Sequence, residues 1–116
     1  MANTTAELFL SRVRVLGYYI KDMHSYNIDY REHCNLAEMS TLLLDLVSIL
    51  IEKPSIKKCG TLARDLIMRL RDVAVDFQNS CQFWRGKNLS NEIFNFINLI
   101  EEPLEKYLKH YYPENL

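Results

Sequence analysis

Seven basic side chains make the clearest chemical pattern in this chain: Lys53, Lys57, Lys58, Arg64, Arg71, Arg85 and Lys87. Lys57, Arg64, Gln78, Arg71 and Arg85 share a seven-residue step. On an α-helix that step returns to nearly the same face, so the cations form a ridge about 40 Å long. Such a ridge is chemistry for neutralising the phosphates of a nucleic-acid backbone. A solvated face is the competing reading. Asp65, Asp72 and Asp76 lie close by, and Asp65 to Arg69 has the spacing of a helical ion pair. The net charge of −1 gives no global field for polyanions, so any such site is a local patch.

Residues for catalysis or metal binding are sparse. The histidines are His24, His33 and His110. His33 and Cys34 are adjacent, but neighbours on a helix point about 100° apart and do not meet as base and nucleophile. No Cys-x-x-Cys or Glu-x-x-His spacing occurs, and three scattered glycines make no phosphate loop. Small helical ribonuclease domains present an arginine a few residues before a histidine. Arg31 and His33 are too close for that pattern, and His110 has no upstream arginine at that distance. The expectation is a non-enzymatic protein without metal or cofactor. Asp45 interrupts the most apolar run; it reads as the wet edge of a helix, or as a buried carboxylate paired with Arg12, Arg14 or Arg69.

Four amphipathic helices are predicted to position these residues. The first starts at a Thr4/Glu7 capping box and carries Leu8, Val13, Leu16, Ile20 and Met23, with Gly17 allowing close approach of a neighbour. The second starts near Asp29, again with a cap pair in Asp29 and Glu32, and runs to about Glu52 before Pro54. Its stripe is Leu36, Met39, Leu43, Leu46 and Leu50, widened by Leu42, Val47, Ile49 and Ile51. The third is the long one, from a Ser55 cap to Trp84, with Cys59, Ala63, Leu66, Leu70, Val73, Phe77 and Trp84 inward and Gly86 ending it. Asn88 or Ser90 caps the fourth, whose stripe is Ile93, Phe96, Ile97, Ile100, Leu104, Tyr107, Leu108 and Tyr111. Pro103 predicts a kink in it. The fold class is therefore all-α: one domain over residues 1–116, an antiparallel four-helix bundle with a long third helix and a proline-kinked fourth.

Surface apolar residues are a second signal. Met68 and Val75 are expected to point outward on the third helix, and Tyr107, Tyr111 and Tyr112 cluster at the C-terminus. Together they suggest a partner interface. The three cysteines, Cys34, Cys59 and Cys81, are odd in number and widely spaced, which reads as reduced thiols in a cytoplasmic protein. No signal peptide is apparent, and the longest apolar run, Leu42 to Ile51, is about half a bilayer span.

The run TLLLDLVSILIE, Thr41 to Glu52, followed by LARDLIMRLRDVAVDF, resembles the second and third helices of four-helix-bundle proteins of the accessory variability determinant type. These are the accessory proteins of diversity-generating retroelements and their relatives encoded within ribosomal RNA insertions. The resemblance covers helix order and length over about residues 10 to 110. It implies a homopentameric barrel of bundles with a basic surface, binding a reverse transcriptase and its template RNA without chemistry of its own. Arg64, Arg69 and Arg71 are the positions that carry over. Two departures bear on RNA binding: members are strongly basic, and the glycine-rich end of their fourth helix is replaced here by LIEEPLEKYLKHYY.

The expected function is an oligomeric accessory or scaffold of a nucleic-acid-handling complex, using Lys57, Lys58, Arg64, Arg71, Arg85 and Lys87 on RNA or single-stranded nucleic acid. The alternative is a small phage or bacterial inhibitor or immunity-type protein that blocks a protein partner through Met68, Val75, Tyr107, Tyr111 and Tyr112. Both readings imply a cytoplasmic protein off the membrane, and the first a homo-oligomer.

Overall fold

The sequence offers α2 a reciprocal cap, and the chain uses it. Asp29 Oδ1 accepts from the Glu32 backbone N–H at 2.7 Å, and Glu32 Oε1 receives the Asp29 N–H at 3.5 Å. The His33 N–H then bonds the Asp29 carbonyl at 3.0 Å, the first bond of the helix. In this computed structural model the described residues are 4–52 and 57–111, with side chains described over 7–49 and 63–102. They form α1 (Thr4–Met23), α2 (Tyr30–Glu52), α3 (Lys57–Ser80) and α4 (Trp84–Tyr111), with no strand among the described residues. The side chains of Thr4, Leu50, Ile51 and Cys59, residues Pro54 and Ser55, and the side chains of α4 from Pro103 onward lie outside this description.

The molecule measures 45 × 27 × 18 Å. A helix with its side chains is about 10 Å across, so the two short dimensions accommodate helices two by two. Each helix packs on the next in sequence, and α4 returns to α1 to close the bundle. The core follows the helical periodicity: Val13, Leu16 and Ile20 from α1; Leu36, Met39 and Leu43 from α2; Leu70, Val73 and Phe77 from α3; Ile93, Ile97 and Ile100 from α4. Phe9 and Phe96 meet edge to face, with ring centroids 6.2 Å apart.

Several sequence expectations are corrected. Phe9, not Leu8, is the first core residue of α1, and Leu8 is exposed. On α3, Leu66 is half-buried, while Ile67 and Ala74 join the core. Gly17 makes no close approach, since a Cβ there would meet nothing within 4 Å. The α3 helix stops at Ser80, so Trp84 begins α4 instead of ending α3 and is 72% exposed. Gly86 does not cap α3. It lies in the first turn of α4, where a Cβ would collide with Cys81 Sγ and press on Phe77 Cε1 at 3.1 Å. This glycine lets the start of α4 lie directly on the end of α3. Neither Asn88 nor Ser90 caps α4; Ser90 is fully buried within the helix, its hydroxyl donating to the Gly86 carbonyl at 3.2 Å.

Candidate functional site

The ridge residues find carboxylates on neighbouring helices. Arg71 of α3 pairs with Glu101 of α4, and Arg85 at the start of α4 reaches Asp22 of α1 at 3.4 Å. Arg85 also lies 5.9 Å from the centre of the Trp84 ring. Arg69 does not use Asp65. It grips Glu38 of α2 with two parallel bonds, Nε at 2.6 Å and Nη2 at 2.8 Å. That bond holds the Glu38 carboxyl below its ordinary value and raises the Arg69 guanidinium. Asp76 is occupied too. It accepts from Asn35 at 2.8 Å and from Arg31, and these partners, Asn35 foremost, depress its pKa. Arg64 is half-buried and Lys87 exposed, each without an ion pair among the described residues. The side chains of Lys57 and Lys58 lie outside the description. Of the ridge positions described, the structure therefore leaves two cations without a carboxylate partner.

Of the apolar interface residues, Met68 is 62% exposed and Val75 also faces outward. Both share their helical stripe with Asp65 and Asp72. The side chains of Tyr107 and Tyr111 on α4 lie outside the description, as does Tyr112. Asp45 is exposed on the wet edge of α2.

A different face, mixing exposed apolar and charged residues, lies along α1 and α4. Leu8, Arg12, Val15, Tyr19 and Asp22 repeat in steps of four and three beside the core stripe of α1. Asn88, Glu92, Asn95, Leu99 and Glu102 do the same on α4. Two clefts lie end to end between them. One, of about 210 Å³, is lined by Arg12, Val15, Glu92 and Leu99 among others; the second, of about 180 Å³, is bordered by Tyr19, Asp22, Trp84 and Arg85. Leu8, Val15, Tyr19, Trp84 and Leu99 are all exposed. Arg12 and Glu92 line the same cleft with opposite charge, yet neither makes an ion pair among the described residues. Sequence reasoning misses this face because the helical spacing puts Leu8 in the core. The four-three repeat beginning at Leu8 was the signal that could have found it.

The end where α1 and α3 finish and α2 and α4 start is polar. His24 and His33 present Nδ1 to Nδ1 at 2.8 Å, with ring planes 2° apart and centroids separated by 5.1 Å. The centroid separation exceeds the nitrogen distance by two ring radii, so the rings meet edge on and one neutral ring donates to the other. Burial first, and His33 second, lower the His24 pKa. His33 is thus engaged with His24 instead of Cys34. Cys81 is a buried free thiol that desolvation keeps protonated, and Cys34 is free and exposed. Among the described residues no three His, Cys, Asp or Glu side chains are grouped to hold a metal ion, and no helix is long and apolar enough to cross a membrane.

Comparison with family models, curated proteins and solved structures finds no match to this chain.

Proposed function

We propose that the chain is a non-enzymatic, self-associating helical-bundle interaction protein, and that α1 and α4 supply its association face. The observation that carries this is the unfinished α1–α4 seam: Arg12 and Glu92 stand unpaired among the described residues, beside exposed Val15 and Leu99. A two-fold copy of such a face sets cation against anion and apolar against apolar, as an isologous interface requires. Scattered single apolar residues need no partner, but a run along one seam is the kind of patch that subunit contacts bury.

The nucleic-acid accessory reading is a second proposal, supported by Arg64 and Lys87, whose charges are unspent among the described residues. The ion pairs at Arg71 and Arg85 count against a continuous phosphate track, since a polyanion would have to compete with Glu101 and Asp22. Size-exclusion chromatography with light scattering, run with and without an RNA pool at low and moderate salt, tests both. Self-association predicts a multimer without RNA that becomes monomeric on V15E/L99E. The accessory reading predicts an RNA-dependent shift that disappears at moderate salt and on Arg64→Glu with Lys87→Glu. A monomer indifferent to RNA would overturn both.

A further inference from the structure

A cleft of about 400 Å³ opens at the polar end of the bundle, between the α1–α2 connection and the α3–α4 connection. Asn27, Ile28 and Asp29 line one side, Gln82 and Phe83 the other, and Glu32 of α2 joins them. Glu32 is only 7% exposed, and its Oε2 makes no hydrogen bond of good geometry. The neighbouring Cys81 thiol does not resolve this. It has one proton to share between the Phe83 carbonyl at 3.8 Å and the Glu32 carboxylate, and a thiol is a weak donor. An ionised carboxylate buried without a full set of donors is costly, because it has given up water for nothing of equal strength.

Asp29 adds a second carboxylate to the same lining, with Oδ1 committed to the Glu32 N–H and Oδ2 uncommitted among the described contacts. No described lysine or arginine makes a salt bridge to either acid. The cleft is therefore negative and holds no cationic side chain, yet it has an apolar wall in Ile28 and Phe83, the latter braced edge to face by Tyr26 at 5.1 Å.

We propose that this cleft binds a small primary amine in its ammonium form, with the charge against Glu32 and Asp29 and the hydrocarbon part on Ile28 and Phe83. An ammonium group brings three donors on one atom, enough for both carboxylates and a side-chain amide oxygen of Asn27 or Gln82. The aromatic face of Phe83 favours a cation over a neutral guest. Divalent metal ions fit less well. Calcium takes six or more oxygen ligands, and among the described residues no set of three acidic or metal-binding side chains converges. This site is independent of the α1–α4 face and stands or falls separately from it.

The test titrates butylamine hydrochloride into the full chain at neutral pH and follows backbone amide resonances. Saturable shifts confined to residues 27–32 and 80–83 are expected, with 1-butanol producing none. Glu32→Gln should weaken binding by at least about tenfold while keeping the fold, since glutamine also serves the reciprocal cap at this position. Asp29→Asn, which keeps an N-cap side chain and removes the second charge, should weaken it less. Non-saturating shifts, equal affinity in E32Q and wild type, or tighter saturation of the same amides by calcium chloride would each overturn the proposal.

Discussion

The α2–α3 and α1–α4 seams belong to one bundle but are closed with different materials. Across α2–α3, Arg69 binds Glu38 through two bonds, while Asp76 takes both Arg31 and Asn35. Across α1–α4, the Arg85–Asp22 contact is stretched to 3.4 Å, and Arg12 and Glu92 share a cleft without pairing. Beneath both seams the core is equally buried, from Leu36 and Leu70 on one side to Ile20 and Ile97 on the other. The difference is therefore in the outer layer. A seam whose polar groups satisfy one another is finished within the monomer, whereas unspent opposite charges beside exposed Val15 and Leu99 leave a surface that a second chain can complete.

Truncation should separate the layers most strongly. Leu70→Ala, at a fully buried position, is expected to lower stability by about 2–5 kcal/mol in a denaturant melt. Val15→Ala, on the open seam, should change the monomer by about 0.5 kcal/mol or less. Comparable losses from the two would mean that the α1–α4 surface is already core, and the contrast would collapse.

A smaller effect is expected where α3 hands over to α4. Gly86→Ala forces a methyl group onto Cys81 and Phe77, a strain of about 1–3 kcal/mol. Adding Cys81→Ala removes the first obstacle, so the double variant should recover part of the loss. Simple additivity in a double-mutant cycle would show that the glycine acts through something other than this contact.

These sites also show what the sequence could and could not disclose. Local rules worked where the cause is local: the Asp29/Glu32 cap and the stripes Val13–Leu16–Ile20 and Leu36–Met39–Leu43 are intrahelical patterns that the structure reproduces. They failed where the cause is tertiary. Gly86 has the composition of a helix terminator, but its role is contact with Cys81, just past the end of α3. Helical spacing pairs Arg69 with Asp65 on its own helix because it sees only four residues away, whereas the partner, Glu38, is 31 positions distant. One step of rotation, about 100°, separated Leu8 from Phe9 and hid the α1–α4 face.

Acid should give the smallest difference between the seams. Glu38 and Asp76 have pKa values below their ordinary 4.5 and 3.8 in the folded state, so the unfolded chain binds protons first as pH falls. Their contribution is complete above those ordinary values and is lost as pH falls through the depressed ones. Thermal melts from pH 6 downward should show a stability loss below about pH 4.5 that flattens in Arg69→Ala. An unchanged acid slope in that variant would show that the α2–α3 ion pair is not its source.

The most direct test of the central claim is the absolute mass of the chain in solution, measured by light scattering on wild type and V15E/L99E at equal concentration. The α1–α4 account predicts a multimer for the wild type and a folded monomer for the double variant, with helical circular dichroism unchanged. A wild-type monomer, or a multimer indifferent to both substitutions, would contradict it.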